Sequence, residues 1–163
     1  MIVDERLVTY INSLDTGNTE ILDQIEKEAI AAYVPIIRKE MQSFLKLLLA
    51  MQKPMRILEV GTAVGFSAIL MAQYAPADCK IVTIENYEKR IPVAKENFKR
   101  AGKDEQITLL EGDAMQILPT LSGEFDMIFM DAANGQYINF MPDILRLLKS
   151  GGVLVSDNVL QDG

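Results

Sequence analysis

Histidine is absent from all 163 residues, which removes imidazole bases, imidazole metal ligands and serine-histidine triads from any chemistry this chain performs. Catalysis must therefore draw on carboxylates, lysine, amides or a metal ion. The single cysteine, Cys79, excludes an internal disulfide and suits a reducing compartment. Near a strand start it reads as a small apolar residue. No apolar run approaches a membrane span, and the start Met1-Ile2-Val3-Asp4-Glu5-Arg6 lacks the basic and apolar regions of a signal peptide. A cytoplasmic protein without membrane contact is expected.

A surplus of positive charge is also missing. With 23 acidic and 16 basic side chains the net charge is −7, which argues against broad, nonspecific nucleic-acid binding. A local basic group remains in Arg38, Lys39, Lys46, Lys53 and Arg56, although scattered charges of this kind ordinarily form a solvated helix surface.

What is present is the composition of one compact domain. At 49% hydrophobic residues, the chain can bury a single core, and residues 1–163 are expected to form one unit. Residues 1–52 read as helical, with apolar positions at Leu7, Tyr10, Ile11 and Leu14, at Ile21, Leu22, Ile25 and Ala29, and from Phe44 to Leu49. Breaks fall at Thr16-Gly17-Asn18 and at Pro35. From residue 53 onward strand and helix alternate: strands at 56–60, 80–85, 107–110, 125–130 and 152–156, helices at 65–75, 87–101, 114–118 and 137–149. Gly102 and Gly151-Gly152 are read as helix stops. The expected fold class is α/β, a Rossmann-like parallel sheet with helices on both faces and an N-terminal helical extension.

Within that frame the stretch Ile57-Leu58-Glu59-Val60-Gly61-Thr62-Ala63-Val64-Gly65-Phe66-Ser67 runs from an apolar strand through a glycine-punctuated turn into a helix. Gly61 permits the sharp turn and Gly65 permits close approach of the helix to a ligand. Ala63 and Phe66 stand where the dinucleotide pattern needs glycine, which sets a nicotinamide-dependent dehydrogenase aside. The second strand, Lys80-Ile81-Val82-Thr83-Ile84-Glu85, ends in an acid placed to accept hydrogen bonds from both hydroxyls of a ribose. Together the turn and Glu85 read as an adenosine site.

Ligands of such sheets bind beyond the carboxyl ends of the strands, so Glu59, Glu85, Asp113, Asp131 and Asp157-Asn158 carry the functional weight. Asp131 ends the fourth strand and Asp157-Asn158 the fifth. As neighbours they would offer three hard oxygen ligands at one rim, a set that favours Mg²⁺, with Mn²⁺ or Ca²⁺ able to compete. Spacing alone leaves another reading equally open, in which Asp131 caps the next segment and Asp157-Asn158 form a turn.

The order of Glu59-x-Gly61-x-x-x-Gly65-Phe66-Ser67, Glu85, Glu111-Gly112-Asp113-Ala114, Phe125-Asp126-Met127-Ile128-Phe129-Met130-Asp131 and Gly151-Gly152-Val153-Leu154-Val155-Ser156-Asp157-Asn158-Val159 resembles the metal-dependent O-methyltransferases of the catechol and caffeoyl-CoA type, which use S-adenosylmethionine. The resemblance covers residue 35 to the end. Tyr33-Val34-Pro35-Ile36 and Met130-Asp131-Ala132-Ala133-x-Gly135-Gln136-Tyr137 are most similar to the bacterial branch that methylates 5-hydroxyuridine at the tRNA wobble position to 5-methoxyuridine.

The resemblance implies that Glu59 orients the methionine amino group directly or through water, and that Gly61 gives close backbone approach. By the same likeness Ser67 binds the carboxylate, Glu85 holds the ribose and Asp113 lies beside the adenine, unless it only caps the short helix that follows. A backbone contact from Ile37 in the helical lid is implied as well. Asp131 is placed beside the cofactor and, with Asp157 and Asn158, on the Mg²⁺.

Two departures from the pattern matter. Asn134 stands where the family usually has a lysine that serves as base, and asparagine takes no proton at neutral pH. Activation then falls to the metal, or turnover is slow or lost. The second is length: relatives continue past strand five with strands that close the sheet, so the C-terminal strands are expected to be missing and an edge left open. A homodimer is expected by family likeness. The readings carried forward are an O-methyltransferase of tRNA 5-hydroxyuridine, one acting on a small catechol-like phenol, and a cofactor-binding domain without turnover.

Overall fold

In the computed structural model, which describes residues 4–131 and 137–157, five parallel strands form one sheet in the order β3-β2-β1-β4-β5. They are β1 (Arg56–Val60), β2 (Lys80–Glu85), β3 (Ile107–Glu111), β4 (Phe125–Met130) and β5 (Leu148–Ser156). This is the expected α/β sheet. Because β1 has partners on both sides and helices on both faces, it is apolar throughout apart from Arg56 and Glu59.

Alternation along the strands divides the core in two. Ile57, Ile81, Met127 and Phe129 face one side, and Leu58, Val60, Ile84, Ile128 and Met130 face the other. The first side is covered by α4 (Phe66–Tyr74), whose residues Phe66 to Ala72 are all buried. A helix apolar all round needs cover on its outer face too. That cover is the N-terminal extension, where Leu22, Ile25 and Ala29 of α2 (Glu20–Ala31) and Leu45 and Leu49 of α3 (Lys39–Gln52) join the same core. Ahead of them, α1 (Glu5–Ser13) is capped by the Asp4 carboxylate and buries no residue. The second side is covered by α7 (Tyr137–Leu147) through Phe140, Ile144 and Leu147, with the short α6 (Ala114–Ile117) beside it.

Two local differences from the sequence expectation have physical causes. The helix α5 (Ile91–Arg100) starts four residues late, because the N–H groups of Asn86 and Tyr87 are taken by the Glu85 carboxylate and Pro92 belongs in a first turn. Gly151 and Gly152 do not stop a helix: α7 ends at Leu147, and both glycines lie inside β5, where the register against β4 shifts between Phe125 and Met127. A Cβ on Gly152 would meet the Lys149 and Asp126 carbonyl oxygens at 2.8 and 2.9 Å, so the bulge demands glycine.

A further local feature lies at Tyr33. Helix α5 ends with Gly102 N–H on the Lys99 carbonyl and Lys103 N–H on the Phe98 carbonyl, a Schellman stop with glycine at φ 62°. Helix α2 ends the same way, with Tyr33 N–H on Ile30 and Val34 N–H on Ala29. Here the left-handed position is filled by Tyr33, φ 55°, with its side chain 95% exposed.

A left-handed tyrosine that buries nothing costs about 1 kcal/mol. Tyr33→Gly is therefore expected to stabilise the fold by roughly 0.5 kcal/mol in urea unfolding, after allowing for the looser unfolded chain. A variant less stable than the parent would contradict this account of the helix stop.

Candidate active site

The glycine turn is held from three directions. Gly61 and Thr62 donate N–H bonds to the Ile84 carbonyl at 3.0 and 3.2 Å, tying the end of β1 to β2. Gly65 N–H closes the turn on the Thr62 carbonyl at 2.8 Å, and Asn97 Nδ2 of α5 holds the Val64 carbonyl at 2.9 Å. Gly61 and Gly65 have φ 102° and 85°. At Gly65 a Cβ would stand 2.6 Å from the Phe98 ring, so glycine there serves the contact between α4 and α5.

Beneath the turn lies Glu59, fully buried. Its carboxylate receives the hydroxyls of Ser67, on the first turn of α4, and of Thr83 on β2. Thr83 and Thr62 share a further hydroxyl contact at 2.6 Å. Burial pushes the Glu59 carboxyl up to about 7, against the pull of the Ser67 and Thr83 hydrogen bonds, and the charges of Asp131 and Glu85 push the same way. Glu59 and Ser67, expected as cofactor contacts, are thus brought together with Ser67 turned inward. Thr83, which sequence reading passed over, is the second donor. Its place two residues before Glu85, on the same face of β2, was the available signal.

Glu85 lies at the mouth of a cavity of about 210 Å³ that is also lined by Gly61, Ala63, Gly112, Asp113 and Asp131. One carboxylate oxygen accepts the Asn86 and Tyr87 N–H groups at 3.0 and 2.9 Å, and the other accepts Ala63 N–H at 2.7 Å. These bonds hold the side chain at the cavity wall, and a lone pair remains for a further donor on the oxygen that accepts Ala63 N–H. Asp113 accepts the Met115 N–H at 2.9 Å as the cap of α6 and lines the cavity as well. Ile37 is placed otherwise. It is buried in the core, its carbonyl accepts Gln42 Nε2 at 3.0 Å, and it does not line this cavity.

Asp131 and Asp157 continue neighbouring strands one residue past the Met130–Ser156 pair. Asp131 N–H bonds the Val60 carbonyl and Asp157 N–H the Met130 carbonyl, each at 2.9 Å. Tyr137 donates its hydroxyl to the Asp157 carbonyl at 2.9 Å. Burial, then the Asp131 and Asp157 charges, push the Tyr137 phenol up to about 12, so it holds its proton at neutral pH. Among the described residues no cluster of three acidic, cysteine or histidine side chains forms a metal site. Asp131 and Asp157 are two hard oxygen donors at one rim, a donor set that fits a divalent cation. Asn158 and Asn134, the remaining candidates, lie outside the described residues.

Comparison with known proteins gives a consistent result. The profile described as O-methyltransferase matches residues 12–163. A catechol O-methyltransferase of Niastella koreensis is 40% identical over 124 residues, which are 74% of this chain and 56% of that protein. One of Mycobacterium tuberculosis is 34% identical over 157 residues, covering 94% of this chain and 71% of its own length. The chain therefore spans little more than half of the Niastella relative. An O-methyltransferase structure from Bacillus cereus in complex with SAH superposes with a TM-score of 0.86 at 28% identity, covering 95% of this chain and 73% of that one. One from Streptomyces achromogenes involved in tomaymycin synthesis, in complex with SAM, gives 0.87 at 31%, covering 100% and 77%.

A proton linkage follows from Glu59. Its folded pKa is raised, so the folded protein holds a proton that the unfolded chain has lost; this stabilisation is full below about 4.5 and is lost as pH rises through about 7. Glu59→Gln removes the linkage. In urea unfolding the variant should gain stability relative to the parent between pH 5 and pH 8, by more than about 1.4 kcal/mol. A gap that does not move with pH would show that Glu59 titrates normally.

Proposed function

Since this chain belongs to the O-methyltransferase family, we propose that it transfers a methyl group from S-adenosylmethionine to one of two adjacent oxygens of an aromatic acceptor, with Mg²⁺ at the rim of the sheet. The observation that carries the proposal is the convergence of the Gly61 turn, Glu85 and Asp131 on one cavity, with Asp157 at the adjoining strand end.

When bound, S-adenosylmethionine supplies a methyl group on a cationic sulfur, and the metal supplies positive charge that holds two acceptor oxygens and lowers a hydroxyl pKa. The residues of the chain position these groups. Glu85 is held by three backbone N–H bonds with a lone pair left for a ribose hydroxyl, Gly61 leaves the turn without a side chain, and Asp113 would lie at the adenine end. The buried Glu59 places negative charge under the turn, which suits the amino group of the methionine moiety. Asp131 and Asp157, with Asn158, would hold the cation. Because methyl transfer from a sulfonium would be a direct displacement, what these residues would contribute is the alignment of acceptor and donor. Tyr137 anchors the Asp157 backbone through its hydroxyl.

For the acceptor, 5-hydroxyuridine of the tRNA wobble position is the favoured reading, because its O4 and 5-hydroxyl form an adjacent oxygen pair and the sequence resembles that branch. A catechol-like acceptor is the second reading, favoured by the catechol O-methyltransferase relatives and by the caffeoyl-CoA O-methyltransferase of Medicago sativa, 35% identical over 130 residues.

Mass spectrometry after incubation with S-adenosylmethionine and Mg²⁺, with tRNA containing 5-hydroxyuridine or with catechol, is expected to show a gain of one methyl that a chelator abolishes. Asp157→Ala should reduce product to the chelated level, and Glu85→Gln should weaken cofactor affinity by roughly 10–100-fold through loss of charge-assisted ribose bonds. Cofactor binding with no product on either acceptor would sink the proposal in favour of a domain that binds without turnover.

A further inference from the structure

Beside the cofactor cavity lies a larger one, of about 410 Å³, that the reading above leaves unused. Its floor is apolar, formed by Ile25 and Ala29 of α2 and by Val64 of the glycine turn. At its edge stand two tyrosines, Tyr33 and Tyr87, and two cations, Lys89 and Arg90. Tyr87 and Arg90 line both cavities, so the two sites adjoin.

The edge is chemically specific. Arg90 lies over the Tyr87 ring at 5.2 Å, which holds a guanidinium and an aromatic face together. Neither Lys89 nor Arg90 has a carboxylate in ion-pair range among the described residues. The acid that lines the same cavity, Glu28, is already neutralised by a two-pronged bond from Arg100 at 2.7 and 2.9 Å. Two unpaired cations thus face a chain of net charge −7. Tyr33 is presented 95% exposed at the helix stop, in a left-handed conformation that glycine would fill without strain. A flat ring beside unpaired cations is the arrangement that grips a base by stacking and its phosphate by charge.

We infer that this cavity binds a nucleotide moiety of the acceptor, with Tyr33 and Tyr87 stacking on the base and Lys89 and Arg90 meeting the phosphate, while the adjacent oxygens to be methylated lie at the Asp131 rim. The inference rests on the methyltransferase reading for its second half only. The same nucleotide chemistry has two sources, an RNA strand or a coenzyme A thioester, and a free phenol lacks it.

The test measures binding to this chain of a labelled RNA stem-loop by fluorescence anisotropy and of coenzyme A by calorimetry, with S-adenosylhomocysteine titrated separately. Tyr33→Gly, which relieves backbone strain and so keeps the fold, and Lys89→Glu, on an exposed side chain, are compared with the parent. At least one probe should bind, with affinity falling as salt rises. Each variant should weaken it by about tenfold or more and leave S-adenosylhomocysteine affinity unchanged. Binding of the stem-loop alone assigns the nucleotide to RNA, and binding of coenzyme A alone assigns it to the thioester. Failure of both probes, or parental affinity in both variants, overturns the inference. Nucleotide binding without any binding of S-adenosylhomocysteine would overturn the methyltransferase reading and leave the nucleotide site standing.

Discussion

A carboxylate with no exposure to water, Glu59, sits where the strand β1, the helix α4 and the strand β2 meet, and the site is arranged around it. Burying a charge is tolerable only with donors to satisfy it. Ser67 and Thr83 supply them from the two elements that must be fixed relative to each other. The Gly61 and Thr62 N–H bonds to Ile84 then complete the junction, so the turn above Glu59 has one geometry. Hydrogen bonds of this kind, made inside the protein, cost more to break than equivalent bonds in water. The raised pKa is the sign of that compromise: burial favours the protonated acid, and the Ser67 and Thr83 hydroxyls pull against it.

Much of this was legible in the sequence. Alternating apolar strands and helices imply a parallel sheet, and the strand-end rule picked out Glu85, Asp113 and Asp131, which line one cavity. The order of the strands placed Asp131 and Asp157 as neighbours. Residues whose roles depend on distant partners were less readable. Thr83 looks like any β-branched strand residue until Glu59 is opposite it, and Ile37 gives no sign that its carbonyl answers the buried Gln42. Gly151-Gly152 has the composition of a helix stop and the function of a strand bulge, because one deciding contact, with the Asp126 carbonyl, comes from the neighbouring strand and has no signature in the local sequence. Tyr33 illustrates the same limit, since a positive φ at a non-glycine residue has no signature in the chain.

The N-terminal extension connects stability with recognition. Its helices α2 and α3 are needed to cover the outer face of α4, which is apolar all round. The end of α2 also lies beside the cofactor turn, and Val64 contacts the space between them. A packing element and a wall of the larger cavity are therefore one segment, and the strain at Tyr33 falls where the two roles meet.

The proposed function requires one arrangement, a methyl-donor site and a cation site sharing the rim formed by the ends of β1, β2, β4 and β5. Diffraction from crystals grown with S-adenosylhomocysteine and Mn²⁺, with the cation located by its anomalous signal, tests this directly. The predicted result is a ribose hydroxyl on the Glu85 carboxylate and one cation bound by Asp131 and Asp157. A cofactor seated away from Glu85, or an anomalous peak that avoids both aspartates, would contradict it.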